Sequence, residues 1–359
     1  MALALSLARR GLGQVAPWPS VGCVIVKEGR IVGRGTSDRA TMRHAERVAL
    51  DQAGSAAQGA TVYVTLEPCS HTGNTPPCAD ALIAAGVARV VTAIGDPNPQ
   101  VAGQGLERLR AAGIAVEVGQ GAQQAAEDNS GFLMVQNHGR PFLTLKLAQS
   151  FDGRIATGTG ESQWITGPEA RRAVHGLRAR HDAVLVGGGT ARKDDPSLTV
   201  RDLGVRHQPT RVVVSRRLDL PLMGQLARTA GDVPLLLCHG RDADKALMQT
   251  WRDLGAVLLP CGVRGTQLDP VDVLQKLGAH GLTRVFCEGG GALAASLIEA
   301  DLVDELVGFT AGLAIGAEGL PGIGAMGLSQ LAAAPRYELR DVRPVGADVM
   351  HVWRRPVPK

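Results

Sequence analysis

Arg43-His44-Ala45-Glu46-Arg47, followed by Leu66-Glu67-Pro68-Cys69 and then Pro77-Cys78, is the part of this chain whose reading decides its first half. One imidazole and two thiolates are ligands that zinc favours, and three protein ligands leave a fourth position open for water. Glu46, two residues beyond the histidine, is not a ligand of this set and supplies the proton carrier that an open site needs. A closed, purely structural site would require a fourth protein ligand. His71 is the only nearby candidate, and Glu46 would then have no task. The expected ligands are His44, Cys69 and Cys78, with Glu46 as the catalytic carboxylate.

A chain of 359 residues exceeds one ordinary core, so two domains are expected. The composition is that of an α/β protein, 45% hydrophobic and 20% charged with 46 glycines. A net charge of +4 implies no nucleic-acid partner, and no apolar run reaches membrane-spanning length. Met1 to Arg10 is apolar first and basic afterwards, the reverse of a secretion signal, and reads as an amphipathic helix with Leu3 and Leu7 on one face. The expected compartment is the cytoplasm. Six cysteines in this length suggest no disulfide framework. Cys23, Cys238 and Cys287 lie in apolar runs and read as small core residues, whereas Cys261 falls in no such run.

Strand and helix signals alternate through the first half. Val21–Val26 and Ile31–Gly33 flank Lys27-Glu28-Gly29-Arg30 as a hairpin, and further strands are expected at Thr61–Thr65, Arg89–Ile94 and Ile114–Val118. Helices are expected at Arg43–Ala53, Cys78–Ala85, Gly105–Ala112 and Gln120–Gln136. Both halves of the metal motif then fall at helix N-termini, where the free N–H groups favour a thiolate. His138-Gly139-Arg140-Pro141 is the expected boundary, giving domains 1–138 and 139–359.

A second α/β series follows, with two strand–glycine junctions. Ala183-Val184-Leu185-Val186 runs into Gly187-Gly188-Gly189-Thr190, and Val285-Phe286-Cys287-Glu288 runs into Gly289-Gly290-Gly291. Such junctions let a phosphate approach the backbone, although neither matches G-x-G-x-x-G. Two in one domain point to a nucleotide site.

The first-half motif is that of the zinc nucleobase deaminases. With the longer strings, the chain resembles the bifunctional deaminase/reductase family of riboflavin biosynthesis over nearly its whole length. The resemblance rests on VGCVIV (21–26), His44-Ala45-Glu46, YVTLEPCSHTGNTPPC (63–78) and DPNPQVAGQG (96–105) in the first domain. In the second it rests on LKLAQSFDGRIAT (145–157), GESQWIT (160–166), DDPSLTVR (194–201) and EGGGALAASL (288–297). It implies a cytidine-deaminase-like α/β/α domain followed by a dihydrofolate-reductase-like α/β domain, commonly in a homodimer or homotetramer. It further implies Zn²⁺ and NADPH as cofactors and a small phosphorylated pyrimidine as substrate. The 2-amino group of 2,5-diamino-6-(5-phosphoribosylamino)pyrimidin-4(3H)-one would leave as ammonia, and the ribosyl chain of the product would then be reduced to ribityl. A reductase with a weak or altered deaminase is the alternative.

By this resemblance Ala148, Trp164, Thr190, Asp194 and the Gly289-Gly290-Gly291 loop would line the NADPH site. Lys146, Ser162, Arg178, Leu198, Arg201 and Glu288 would face the substrate of reduction, and His71 that of deamination. The planar donor forks of Arg178 and Arg201 suit a phosphate. Ser215-Arg216, where the family has Asp-Ser, is expected to favour the 2′-phosphate of NADPH. The first domain departs from the family at three places. Trp18 stands where the N-P-x-V-G motif has asparagine, Asn74 where the cysteine loop has lysine or arginine, and Ala40-Thr41-Met42-Arg43 replaces a glycine-bearing loop, with Arg47 following.

Overall fold

The computed structural model describes residues 1–71, 76–98 and 102–356, and it divides into two compact units, Met1–Gly139 and Arg140–Lys359. In the first unit the strands are β1 (Gly22–Lys27), β2 (Arg30–Thr36), β3 (Thr61–Leu66), β4 (Arg89–Ile94) and β5 (Ala115–Val118). They form one sheet in the order β2-β1-β3-β4-β5, with β1 antiparallel to both neighbours and β3, β4 and β5 parallel. The helices are α1 (Ala2–Ala8), α2 (Ala45–Ala53), α3 (Cys78–Ala84), α4 (Gln104–Ala111), α5 (Ala122–Asp128) and α6 (Ser130–His138).

The sheet is apolar on both faces, which is why helices cover both. Cys23 and Ile25 of β1 pack with Ala45, Ala49, Leu82 and Leu109 from α2, α3 and α4. Val24, on the opposite face, packs with Ala4 and Leu7 of α1. Helix α2 lies unusually close to β2. A Cβ on Gly33 or Gly35 would stand only 2.2 or 2.0 Å from the carbonyl oxygen of Ala49 or Ala45, so only glycine admits this approach.

Two sequence expectations are corrected in this unit. The helix expected over Gln120–Gln136 is two helices, interrupted at Asn129, whose amide oxygen accepts the Ser20 N–H at 2.9 Å and whose amide nitrogen donates to the Ala125 carbonyl. In α1, Leu3 is exposed, and the buried face is Ala4, Leu5, Leu7 and Ala8.

The second unit contains β6 (Phe142–Ser150), β7 (Arg154–Ala156), α7 (Pro168–Arg178), β8 (Ala183–Gly187), α8 (Gly188–Asp194), β9 (Thr210–Val214) and α9 (Gln225–Arg228). There follow β10 (Leu235–His239), α10 (Lys245–Asp253), β11 (Val257–Pro260), β12 (Val263–Arg264), β13 (Gln267–Leu268), α11 (Pro270–Ala279), β14 (Arg284–Cys287) and α12 (Gly291–Glu299). The unit ends with β15 (Glu305–Ala311), β16 (Leu320–Pro321), β17 (Glu338–Val345) and β18 (Asp348–Arg354). The main sheet runs β11-β10-β9-β8-β14-β6-β15-β18-β17. It is parallel from β11 through β15 and antiparallel at β18 and β17.

The chain moves outward from β6 through β8 to β11, then returns to lay β14 between β8 and β6. This reversal opens a crevice at the carboxyl ends of the central strands, the usual ligand position in such sheets. Helices α11 and α12 cover one face through Leu274, Leu277, Leu297 and Ile298. On the other face α7 packs through Ala170 and Val174 onto Phe286, Val307 and Phe309. Cys23, Cys238 and Cys287 are core residues, and Cys261 joins Cys238 in the same cluster.

One buried carboxylate pins β8 to β14. Asp182 accepts the N–H of Thr283 at 2.8 Å, the N–H of Arg284 at 2.7 Å and the Thr283 hydroxyl at 2.6 Å. Asp182→Ala strands three donors, two of them buried, and is expected to destabilise this unit by about 3 kcal/mol, with Asp182→Asn losing less. The check is the urea midpoint read from the fluorescence of buried Trp251. An unchanged midpoint in Asp182→Ala would show that the three bonds contribute nothing net.

Candidate active sites

In the first unit, His44 is the N-cap of α2, with extended backbone angles, and Cys78 is the first residue of α3. Cys69 does not sit at a helix start. It lies in the loop after β3, and the helical expectation for that half of the motif holds for Cys78 alone. Helix α3 still serves Cys69, because the Cys78 N–H donates to the Cys69 Sγ at 3.3 Å. His44 Nδ1 is 3.5 Å from Cys69 Sγ and 3.3 Å from Cys78 Sγ. All three donor atoms lie within 4.8 Å of one another. Tetrahedral zinc, with bonds of about 2.0–2.3 Å, sets its ligand atoms roughly 3.4–3.8 Å apart, so the donor set fits that ion.

Glu46 lies in the first turn of α2 and is buried, at 3% exposure. Burial pushes its carboxyl up to about 7, against the opposing field of His44. The Cys78 thiol, and after it the His44 ring, draw the Cys69 thiol well below its ordinary value, while Cys78 is held high by Cys69 and by burial.

Glu67, which the sequence reading passed over, anchors the cysteine-bearing loop. Its carboxylate accepts the N–H groups of Asp96 at 3.2 Å and of Gly103 and Gly105 at 3.0 Å each. The signal was its place between the strand and Pro68-Cys69. His71 is exposed, and the nearby Asp96 carboxyl is pushed above its ordinary value by burial. Asn74 lies outside the described residues. The Trp18 ring stands edge-on to His44, with centroids 6.5 Å apart at 61°.

In the second unit, the crevice at the strand ends is a cavity of 760 Å³. Lys146, Arg178 and Glu288 meet at its floor. Arg178 grips Glu288 with both arms of its fork, Nε at 2.5 Å and Nη2 at 3.1 Å, and Lys146 Nζ stands 3.9 Å from the same carboxylate. Burial opposes the Glu288 charge, but Arg178 and Lys146 hold the carboxyl below its ordinary range. Lys146 is itself drawn down by burial.

Ser162, Trp164, Leu198 and Arg201 form the wall, with Thr190 and Asp194 from α8. Trp164 is 66% exposed, with the Arg171 guanidinium 4.5 Å above its ring, so it is no core residue. His175 and Asp195 also line the cavity, although the sequence reading did not single them out. His175 Nδ1 accepts the Arg201 N–H at 3.2 Å, and the Asp195 carboxylate accepts the Gln225 N–H at 2.6 Å. Their signal was adjacency, His175 one helical turn before Arg178 and Asp195 beside Asp194.

Because β8 and β14 are sheet neighbours, the two glycine junctions come together. A Cβ on Gly290 would lie 3.7 Å from Thr190 Oγ1. Gly289, Gly290 and Gly291 span the turn from β14 into α12. Ala148 packs beside the α7 cluster and is not part of the cavity wall. Ser215 is buried against Gly188 and donates to Asp219 at 3.2 Å. Arg216 is taken up by Asp242, Nη2 to Oδ2 at 2.5 Å, whereas the next residue, Arg217, is exposed and has no such carboxylate partner among the described residues.

Residues 1–94 match the cytidine and deoxycytidylate deaminase zinc-binding region, and residues 141–351 match the RibD C-terminal domain. The riboflavin biosynthesis protein RibD of Escherichia coli is 44% identical over 361 residues, covering 97% of this chain and 96% of that protein. The Aquifex aeolicus protein of the same name is 41% identical, covering 99% and 97%. The chain belongs to the RibD family. Among solved structures, Acinetobacter baumannii RibD superposes with a TM-score of 0.88 at 39% identity, covering 98% of this chain and 97% of that one. The Thermotoga maritima diaminohydroxyphosphoribosylaminopyrimidine deaminase/5-amino-6-(5-phosphoribosylamino)uracil reductase superposes with 0.87 at 33% identity, covering 99% and 97%. The family places the chain in riboflavin biosynthesis as a bifunctional enzyme, a zinc deaminase domain followed by an NADPH-dependent reductase domain.

Metal content tests the cluster. Elemental analysis is expected to find about one zinc per chain in the wild type and a marked loss in Cys78→Ser. Equal zinc in both would remove Cys78 from the ligand set.

Proposed function

We propose that His44, Cys69 and Cys78 hold the zinc, that Glu46 moves the protons of deamination, and that the Lys146–Arg178–Glu288 floor binds the substrate of reduction. The observation that carries the first half is the three-donor cluster with a buried carboxylate two residues from its histidine. When bound, zinc supplies a Lewis acid that brings the pKa of its water toward neutrality. Glu46, its carboxyl held near neutrality by burial, would take up one proton at its carboxylate and hand one to the amine that leaves. Helix α2 fixes the distance between the ligand His44 and the carboxylate, because the two are separated by half a turn of one rigid element.

In the second unit, NADPH when bound supplies the hydride. Thr190, Asp194 and Trp164 with the Gly289–Gly291 turn are the proposed cofactor contacts, Ala148 rests on the family resemblance alone because it packs outside the cavity wall, and Ser215 with Arg216 lies at the end of β9. Arg201, Ser162 and Leu198 face the substrate with the charged floor. Lys146, Arg178 and Glu288 carry two positive charges and one negative, so the floor keeps a net positive field suited to a phosphorylated ligand. His71 is proposed to brace or contact the deaminase substrate. Cytoplasmic location and homodimeric or homotetrameric assembly belong to this proposal on the family resemblance.

Two outcomes test the assignment. Glu46→Gln is expected to abolish ammonia release and to leave NADPH oxidation on pre-deaminated substrate within about twofold of wild type. Loss of both in a folded variant would sink the idea of separate sites. Among the arginines after β9, Arg217→Ala is expected to raise the Michaelis constant for NADPH about tenfold, as for one charge-assisted phosphate contact, and to leave that for NADH nearly unchanged. Arg216→Ala, already neutralised by Asp242, is expected to do less. Equal weakening of both cofactors would show that the 2′-phosphate is read elsewhere.

A further inference from the structure

We infer that Trp18 is a substrate-binding wall beside the deaminase centre, holding the substrate's pyrimidine by the face of its ring. The inference rests on the reading of His44, Cys69, Cys78 and Glu46 as the deaminase centre. Its observation is the indole beside the metal cluster, with ring centroids 6.5 Å from His44 at 61°. Of the other tryptophans, Trp251 is fully buried, Trp353 donates to His351, and Trp164 belongs to the second unit. Trp18 is half-buried, with part of its surface left for a ligand.

The segment that carries it is held from several sides. The Trp18 N–H donates to the Val15 carbonyl at 3.0 Å, and the Ser37 hydroxyl donates to the Pro19 carbonyl at 3.1 Å. The Ser20 N–H donates to Asn129 at 2.9 Å, and the Arg39 guanidinium donates to the Ala16 carbonyl. An aromatic side chain on a backbone so fixed loses little freedom when a ligand arrives, so its contact area converts efficiently into affinity.

The chemical consequence follows from what a ring face can read. An amide side chain in such a place would select a pattern of donors and acceptors on the base. An indole offers no such pattern, and stacking tolerates any flat base because every base has a π-face. Trp18 therefore binds the aminopyrimidine through planarity and area, and the choice of which amino group leaves falls to Glu46 and the metal cluster.

The test uses the full-length zinc-loaded enzyme and three readouts: ammonia-release kinetics on the diaminopyrimidinone substrate, zinc content, and tryptophan fluorescence. Trp18→Ala is expected to raise KM roughly 5- to 100-fold, the range of one base–aromatic stack, with kcat within about twofold and zinc unchanged. Trp18→Phe, which keeps a ring face, is expected to recover most of the loss. In a Trp164→Phe background, titration with 5-amino-6-(5-phosphoribosylamino)uracil is expected to quench fluorescence, and a further Trp18→Phe change to remove that quench. An unchanged KM in Trp18→Ala, a kcat loss at constant KM, or zinc lost from both variants overturns the inference, the last by showing that the indole only braces His44. If the wild type releases no ammonia, the deaminase reading fails on its own. The quench still decides Trp18, its presence supporting the inference and its absence overturning it.

Discussion

The close approach of α2 to β2 is the constraint on which the first domain depends. A helix can deliver a metal ligand and a proton carrier to the edge of a sheet only if its backbone lies hard against the strands. Gly33 and Gly35 permit this from the strand side, and Ala45, Ala49 and Ala53 permit it from the helix side. With that contact made, His44 at the helix cap faces Cys69 and Cys78, and Glu46 is buried beside them. The same burial raises this carboxyl toward neutrality, which is the range the proposed proton carrier requires.

The second domain solves a different problem with the same kind of element. Its floor places a carboxylate and two cations together with little exposure to solvent, an arrangement that depends on closely matched partners. Arg178 comes from α7, Lys146 from β6 and Glu288 from the end of β14, so the floor exists only when three separate elements are in register. The Asp182 clamp at the opposite end of β8 and β14 supports that register. Arg178 also donates to the Thr199 carbonyl at 2.8 Å, which ties the floor to the wall that carries Leu198 and Arg201.

Much of this was legible beforehand, because the motifs lie on contiguous stretches whose chemistry is local. The hairpin at Lys27–Arg30, the strand Arg89–Ile94 and the strand Arg284–Cys287 follow from alternation and from turn residues beside them. The helix break at Asn129 did not follow, because that residue is decided by a distant partner, the Ser20 N–H, and not by propensity. Leu3 misled for a similar reason. The helical period alone does not say which of Leu3 and Leu5 faces the sheet.

The sequence by itself determined the donor types of the metal site, the glutamate beside it, the two glycine junctions and the order of strands and helices. Each depends on residues near one another in the chain. Only the tertiary structure decided which junctions meet, since β14 enters between β8 and β6 from a hundred residues away. It also decided that Arg216 is claimed by Asp242, that Ser215 closes against Gly188, and that Glu67 braces the cysteine loop. Those are choices of partner among charged and polar groups of similar type. Distance settles them, and distance exists only once the chain has folded.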